Sequence, residues 1–160
     1  KMEMGIPFNK RPKSLVLDYK VDMPDTDIRT KSTGFSSKKT LTGRDAAVVF
    51  VFLQYRWEDN QGNIHAKRIG TGGELFKCAS GWRNRHEIPI IYGDCSSSPE
   101  MTWYCARNSK GKVVPVREEQ WGTGNETPTH IIIMISSGKG EPYVGTIGLT
   151  FYVDNIGLKY

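Results

Sequence analysis

Residues 46–57 read Ala-Ala-Val-Val-Phe-Val-Phe-Leu-Gln-Tyr-Arg-Trp, and this stretch decides the fold class. Up to Leu53 both alternating sets of side chains are apolar, which is typical of a central β-strand that is covered on both faces. Polar residues then return, and residues 59–63 read Asp-Asn-Gln-Gly-Asn, a hairpin-turn sequence because Asn and Gly tolerate positive φ. The pattern predicts a long strand, a turn and a partner strand around Ile64–Ile69.

Outside this hairpin several segments alternate apolar and polar residues with period two, and no window sustains a helical apolar stripe. These segments are Leu15–Val21, Glu87–Tyr92, His130–Ser136 and Leu149–Tyr160. Such strands, separated by turn residues, predict an all-β sandwich of two stacked antiparallel sheets. The side chains predicted to be buried include Val49, Val51, Leu53, Ile131, Ile133 and Ile135. In the last segment the apolar positions change from odd to even, which predicts a β-bulge near Asp154-Asn155.

Length and composition fit one globular domain, since the chain has 160 residues of which 38% are apolar and 24% charged. The formal net charge of +5 is spread along the whole length rather than gathered in one stripe, so nucleic-acid binding is not favoured. No apolar stretch approaches the roughly 20 residues of a membrane helix, so we expect no membrane insertion. Because the first residue is Lys1 rather than Met, we expect that more chain originally preceded it.

Three cysteines, Cys78, Cys95 and Cys105, leave the redox state open. Cys95 and Cys105 lie close enough in sequence to close a small disulfide loop, but three reduced thiols fit the sequence equally well. Neither a Cys-x-x-Cys motif nor a Cys/His cluster is present, so no zinc site is predicted.

Two other groups of residues favour structural roles over chemistry. The run Gly70-Thr71-Gly72-Gly73 lacks the Lys-Ser/Thr and the helix of a phosphate-binding loop, which favours a simple turn. His65, His86 and His130 are dispersed in strand-like surroundings, where a histidine is more often structural than a metal ligand.

Motifs spread over the chain resemble those of one family. They are Gly5-Ile6-Pro7-Phe8, Arg11-Pro12-Lys13-Ser14-Leu15, Asp18-Tyr19-Lys20, Asp45-Ala46-Ala47-Val48, Ile88-Pro89-Ile90 with Tyr92, Pro128-Thr129-His130-Ile131, Ser136-Ser137, Gly145, Gly148 and Tyr152-Val153-Asp154-Asn155-Ile156. In these residues the chain resembles the PCMD family of carbohydrate metabolism domains, whereas residues 95–127 match no part of the family pattern. The resemblance implies that residues 1–160 form one jelly-roll β-sandwich similar to carbohydrate-binding modules. It also implies the C-terminal position in a secreted or surface lipoprotein of gut Bacteroidetes, and hence an extracytoplasmic location.

Sugars are held by aromatic faces and by planar polar side chains that bond to hydroxyl groups. The side chains that we predict to bind carbohydrate are Trp82, Arg83, Arg85, Trp103, Tyr104 and Trp121. Their neighbours are polar or loop-forming, although a large aromatic in an irregular loop also serves to anchor that loop. Trp57 continues an apolar strand, so we expect it to pack in the core. The sequence therefore predicts a non-catalytic module that binds an oligo- or polysaccharide.

The main alternative is a glycoside hydrolase, which needs two facing carboxyl groups roughly 5–9.5 Å apart. The adjacent pairs Glu58-Asp59 and Glu118-Glu119 point to opposite faces if they lie on strands, so we predict no catalytic residue. A second alternative is a structural or adhesive module that packs against other domains of a longer surface protein.

Asp154 is the one candidate metal ligand, because a carboxylate at a bulge can join backbone carbonyls around Ca²⁺. A structural calcium near the last strand is also what the resemblance to jelly-roll modules implies. The other interpretation, which we favour, is that Asp154 accepts backbone N–H bonds at the bulge. No cofactor is required by either interpretation.

Overall fold

A computed structural model describes residues 2–35, 37–96, 104–139 and 142–160. In this part of the chain there is no helix, and so none that is long and apolar enough to cross a membrane. The strands are β1 (Met2–Glu3), β2 (Ile6–Pro7), β3 (Ser14–Asp22), β4 (Ile28–Lys31), β5 (Lys39–Thr42), β6 (Ala47–Glu58), β7 (Ile64–Phe76), β8 (Ser80–Pro89), β9 (Ile91–Tyr92), β10 (Tyr104–Arg107), β11 (Val113–Trp121), β12 (His130–Ser136), β13 (Val144–Gly145) and β14 (Thr150–Lys159).

The strands form a sandwich-like arrangement of curled sheets, which confirms the predicted all-β fold and is consistent with a jelly roll. The large sheet has the order β1-β10-β11-β7-β6-β12-β2, with β9 beside β7. A smaller sheet, β14-β3-β8, packs against it, and β13-β4-β5 form a third sheet that the sequence did not predict. Most neighbours are antiparallel, but β1 runs parallel to β10 and β11 runs parallel to β7.

The main core lies between the large sheet and the β14-β3-β8 sheet. The alternation in β6 turns Val49, Val51 and Leu53 to this side, and all three are fully buried, as predicted. Leu15 and Leu17 of β3 meet them from the other sheet and are also fully buried. Every second residue of β3 therefore faces the core, which leaves the alternate residues on the outside of the molecule.

The large sheet curls until its two edges meet at the N-terminal segment. β1 pairs with β10 at one edge and β2 pairs with β12 at the other, although only Met4 and Gly5 separate β1 from β2. Gly5 has φ +92°, and a Cβ there would lie 2.5 Å from the Arg56 guanidinium, so this turn requires glycine. The curl encloses a second apolar cluster of Phe52, Ile64, Ala66, Tyr104, Val116 and Ile132.

The predicted burial is correct at the start of β12 and wrong at its end. Ile131 is 4% exposed, whereas Ile133 and Ile135 are 38% and 37% exposed. Ile133 and Ile135 lie beyond the two residues that pair with β2, at an edge of the sheet, whereas Ile132 on the opposite face is buried in the second apolar cluster. Period-two alternation identifies the face of a side chain but not whether another strand covers it.

The prediction of a bulge in the last strand is confirmed, and the prediction of a turn at residues 70–73 is wrong. The predicted bulge in the last strand is confirmed, because the pairing of β14 with β3 shifts register between Asp154 and Gly157. The run Gly70-Thr71-Gly72-Gly73 is not a turn but the middle of β7. A Cβ at Gly72 would lie 2.7 Å from the Pro89 carbonyl oxygen, so glycine here permits the close approach of a neighbouring chain segment.

Candidate functional site

The outer face of the β14-β3-β8 sheet carries an exposed aromatic pair. Trp82 of β8 is 54% exposed and Tyr152 of β14 is 42% exposed, and their ring centroids lie 6.4 Å apart with the planes tilted by 53°. Lys20 of β3 extends over the same tyrosine, with its ammonium nitrogen 5.0 Å from the ring centroid. The alternation of β3 explains this position, since Tyr19 and Val21 point into the core.

Next to the aromatic pair, the carboxylate of Asp18 holds the two flanking strands. Its Oδ1 accepts the backbone N–H of Arg85 at 2.6 Å, and its Oδ2 accepts the side-chain amide of Asn155 at 2.7 Å. The hydrogen bond from Asn155, followed by the one from Arg85, lowers the pKa of Asp18. The carboxylate therefore stays ionised and bound to both strands at neutral pH.

Both residues that Asp18 holds have left-handed backbone conformations. Arg85 has φ +53° and Asn155 has φ +49°, a region that non-glycine residues adopt at a cost. Such strain persists only where surrounding contacts determine it, and it is concentrated at functional sites. The two left-handed residues lie at the bulges of β8 and β14 beside Asp18. The side chains of Arg85 and Asn155 therefore border one depression.

This depression has a volume of about 380 Å³ and is lined by Val16, Asp18, Arg85, Asn155, Gly157, Leu158 and Lys159. Lys159 forms an ion pair of 2.6 Å with Glu87 on the same face. We call the surface formed by Asp18, Lys20, Trp82, Arg85, Tyr152 and Asn155 the outer-sheet surface. It combines two aromatic faces with guanidinium, ammonium and amide donors, which are the groups that bind sugar rings and their hydroxyls.

The structure places the predicted site residues in three different environments. Trp82, Arg83 and Arg85 are exposed on β8, and Trp82 and Arg85 belong to the outer-sheet surface. Tyr104 and Trp121 lie in the other sheet, on β10 and β11. Trp103 lies outside the described residues. The predicted group is therefore not one site, and only its β8 part lies at the outer-sheet surface.

Tyr104 is fully buried, so it offers no stacking face, which corrects its predicted role. Its hydroxyl is hydrogen-bonded to the Gln54 amide and lies 3.4 Å from Glu118 Oε2. Burial, together with the charge of Glu118, raises its pKa to about 12. The sequence could not distinguish this tyrosine from a surface one, because β10 is short and the sequence around it shows no regular alternation.

Trp121 is half-buried and covers a buried ion pair. Its ring centroid lies 5.4 Å from the guanidinium carbon of Arg68, which is 1% exposed and lies 4.0 Å from the ring centroid of Phe52. Arg68 donates to both carboxylate oxygens of Glu118, through Nε at 2.9 Å and through a terminal nitrogen. Trp121 thus acts as an anchor, which is the alternative that the sequence left open.

Tyr104 and Arg68 belong to a larger set of polar side chains inside the curl. We call Gln54, Arg56, Arg68, Tyr104 and Glu118 the interior network. Arg56 donates to the Gln54 side-chain oxygen at 2.9 Å and to the Met4 carbonyl at 3.0 Å, and burial lowers its pKa. Because Arg68 is paired with Glu118 and the Arg56 guanidinium donates to two neutral oxygens, the network has a structural role.

Trp57 is also not a core residue, contrary to the prediction. It is half-buried, and its ring stacks on the His65 imidazole at 5.4 Å with the planes 15° apart. His65 lies between Asp59 at 3.2 Å and Glu119 at 3.0 Å, and the hydrogen bonds that its ring donates to these carboxylates raise its pKa. This arrangement satisfies the imidazole on both nitrogens, as the predicted structural role of His65 requires.

Adjacent acidic residues on β11 point to opposite faces, as predicted. Glu118 joins the interior network, whereas Glu119 contacts His65 on the other side of the sheet. In the other pair, Glu58 accepts two bonds from Ser109 and Asp59 accepts backbone N–H groups of the following turn. Each of these four carboxylates thus has structural partners of its own.

Asp154 has the backbone partner that the favoured interpretation requires. Its Oδ1 accepts the N–H of Asn155 at 2.8 Å within the bulge. In the described part of the chain there is no group of three or more His, Cys, Asp or Glu side chains that could hold a metal ion. Cys78, Cys95 and Cys105 are unpaired in the structure.

Sequence reasoning assigned no carbohydrate-binding role to the outer positions of β3 and β14. Asp18 and Lys20 follow each other with period two, and Tyr152 occupies the position opposite Lys20. Alternation alone places these side chains on an exposed face, but the neighbouring strand β8 is identified only by the fold.

No family model matches the chain, and no curated protein or solved structure matches it either.

Proposed function

We propose that this chain is a non-catalytic carbohydrate-binding module and that the sugar binds at the outer-sheet surface. The observation that supports the proposal most strongly is the exposed pair of Trp82 and Tyr152 beside donors that Asp18 holds in place. An aromatic side chain left half exposed in water loses part of its hydrophobic stabilisation, which a sugar C–H face can restore. Fixed donors lower the entropy lost when the ligand binds.

The exposed arginines of β8 and the basic balance of the chain favour acidic glycans over neutral ones, whereas Lys20 is paired with Asp22 at 3.0 Å. Lys20, Arg83 and Arg85 lie on this side of the small sheet or at its β8 edge, and guanidinium groups form paired hydrogen bonds with carboxylate or sulfate groups. The formal net charge of +5 attracts anionic polymers over a longer range at low salt. We therefore propose a polysaccharide with carboxylate or sulfate groups as the ligand class.

The biological setting remains a proposal as well. We propose an extracytoplasmic location, as part of a longer secreted or surface protein whose other domains lie beside this one. The proposal rests on the resemblance of the motifs to the PCMD family. Fractionation of cells that express the natural protein, with detection by an antibody raised against this chain, tests it. Recovery from the cytoplasmic fraction alone would contradict it.

The binding experiment begins with a glycan array and continues with calorimetry on the best ligand. Trp82→Ala and Tyr152→Ala should each weaken binding roughly tenfold or more, since one stacking contact contributes about 1–2 kcal/mol. Leu75→Ala is the matched control, because Leu75 is 43% exposed on β7 of the other sheet. All three variants should melt close to the parent. Binding of parental strength by both aromatic variants would contradict the proposal.

The same preparations test for catalysis. We expect no release of reducing sugar from a panel of polysaccharides that includes the ligands found on the array. Release that disappears in Glu87→Gln, with an unchanged melting curve, would assign a glycoside hydrolase activity to the outer-sheet surface instead. Glu87 is chosen because it is an exposed carboxylate on this face, with Lys159 and Ser14 as partners.

A further inference from the structure

The outer edge of β12 is left without a partner strand. β6 pairs with one edge of β12 from His130 to Ser136, whereas β2 pairs with the other edge only at His130 and Ile131. In the described part of the chain, no strand pairs with that second edge from Ile132 to Ser136. A sheet edge of this kind presents backbone N–H and C=O groups that readily bond to another extended strand.

This edge also lacks the devices that normally protect an edge strand. Between Glu126 and Lys139 the sequence contains no Lys, Arg, Asp or Glu, and no proline follows Pro128 within that interval. Charged side chains and prolines are the usual means of preventing edge-to-edge pairing. The bulges that twist the β14-β3-β8 strands do not occur in the pairing of β12 with β6. In the described part of the chain the edge from Ile132 to Ser136 is therefore uncharged, free of bulges and unpaired.

Apolar surface is concentrated around the same edge. Ile133 and Ile135 are exposed where the alternation predicted burial. Two neighbouring cavities of about 330 and 650 Å³ lie along β12, and Met2 lines both of them. The segment Pro142–Thr146 forms another wall of the larger cavity, and its Tyr143 is 68% exposed. Contiguous apolar surface of this kind marks an interaction site.

We propose that two copies of this chain associate through antiparallel pairing of their β12 edges. A two-fold axis perpendicular to the sheet at Met134 pairs Ile132 with Ser136 of the other copy. The same axis places Ile133 beside Ile135 of the other copy on one face, and the two Met134 side chains beside each other on the opposite face. This register pairs all of residues 132–136, which β2 leaves unpaired, and it does not displace β2 from His130 and Ile131.

Self-complementarity is the reason to assign a second copy as the occupant. An isologous contact needs a patch that matches itself, and the Met134-centred register pairs apolar side chains with apolar ones around the axis. No charged side chain from residues 127–138 opposes itself across the contact. The association also covers the two isoleucines that the chain alone leaves exposed.

The first experiment is sedimentation velocity of the 160-residue chain across the micromolar range. We expect a concentration-dependent equilibrium between monomer and dimer. Ile133→Lys should weaken the dimer at least about tenfold, because each ammonium group then lies beside Ile135 of the other copy, with the second ammonium group diagonal to it on the same face. Leu75→Lys is the matched control, since Leu75 is exposed to a similar degree on β7. Circular dichroism and melting curves check that both variants fold, and Ile135→Lys replaces Ile133→Lys if the latter does not.

The second experiment tests the register by disulfide formation. Met134→Cys is made together with Cys78→Ser and Cys95→Ser, which leaves Cys105 buried. Mild oxidation should give a covalent dimer, whereas Leu75→Cys in the same background should give much less. A parent chain that stays monomeric over the whole range overturns the proposal. A dimer that Ile133→Lys leaves intact, or that Met134→Cys does not cross-link, overturns it as well.

Discussion

The interior network and the outer-sheet surface contain the same kinds of residue in opposite environments. In the interior network the guanidinium of Arg68 is 1% exposed and bonded to Glu118, and Tyr104 is fully buried. On the outer-sheet surface Arg85 is exposed, and Tyr152 is 42% exposed beside Trp82. Residue type alone therefore does not distinguish a binding surface from a buried support.

The two regions also differ in how their polar groups are satisfied. In the interior network Arg68 bonds to Glu118 and Arg56 bonds to neutral oxygens, so removal of one member leaves another without its partner in a dry environment. On the outer-sheet surface Asp18 fixes the backbone of Arg85 and the side chain of Asn155, and the Arg85 side chain points to solvent. The first arrangement stabilises the fold, and the second leaves the Arg85 side chain exposed to a ligand.

The largest expected effect comes from breaking the interior network at Glu118. Glu118→Ala leaves the Arg68 guanidinium buried without its carboxylate, which should lower the free energy of unfolding by about 3–5 kcal/mol. The neighbouring variant Glu119→Ala should cost less than about 1 kcal/mol, because that carboxylate is on the exposed side of the sheet. Urea titration of both variants measures the difference. Equal costs would show that the network does not have the role assigned to it.

A smaller effect should come from His130, whose pKa is lowered to about 4 by burial and by the charge of Arg56. The unfolded chain takes up a proton near the ordinary histidine value, so the stability from His130 is lost as the pH falls from about 6.5 to about 4. After allowance for partial exposure this amounts to about 1–2 kcal/mol. In His130→Gln the free energy of unfolding should decrease less between pH 6.5 and pH 4 than it does in the parent. Parallel curves for parent and variant would contradict the assignment.

The outer-sheet surface is tested by a pair of substitutions at Arg85. Arg85→Gly and Arg85→Ala both remove the guanidinium, but glycine adopts φ +53° without strain. Arg85→Gly should therefore be about 1 kcal/mol more stable than Arg85→Ala in thermal unfolding. Both should bind an acidic glycan more weakly than the parent does. Equal stability of the two variants would mean that the backbone at Arg85 is not strained.

The smallest effect is expected at His65, which lies near the surface. Hydrogen bonds from its ring to Asp59 and, to a smaller extent, to Glu119 raise its pKa, so the folded chain holds the proton more tightly than the unfolded chain does. Its contribution is present below the ordinary histidine pKa and is lost as the pH rises through the raised value. As the pH rises from the ordinary histidine pKa through the raised value, the free energy of unfolding of the parent should fall relative to that of His65→Gln. A gain for the parent with rising pH would reverse the assignment.

The sequence predicted the strands well where both faces of a strand have a regular pattern. The length of β6, the turn after it and the bulge in β14 follow from alternation and from turn residues. β11 was missed, because Pro115 and its charged residues suggest a loop while parallel pairing with β7 makes it a strand. Pairing between distant segments is not visible in local periodicity.

The candidate site was partly predictable for the same reason. Trp82 and Arg85 were identified from their polar neighbours, but Tyr152 and Asp18 lie on two other strands that only the fold places beside them. Trp121 looked the same as Trp82 in sequence, and its role depends on Arg68, more than fifty residues away. Burial by long-range contacts determined which aromatic stayed exposed.

The most direct test of the proposed ligand surface is the response of the tryptophan indole N–H resonances to a glycan found on the array. The resonances are assigned with single Trp→Phe variants in a ¹⁵N-labelled chain. Binding at the outer-sheet surface predicts that the Trp82 resonance moves with ligand concentration while that of Trp121 stays in place. A shift of Trp121 with an unchanged Trp82 would contradict the account and move the site to the other sheet.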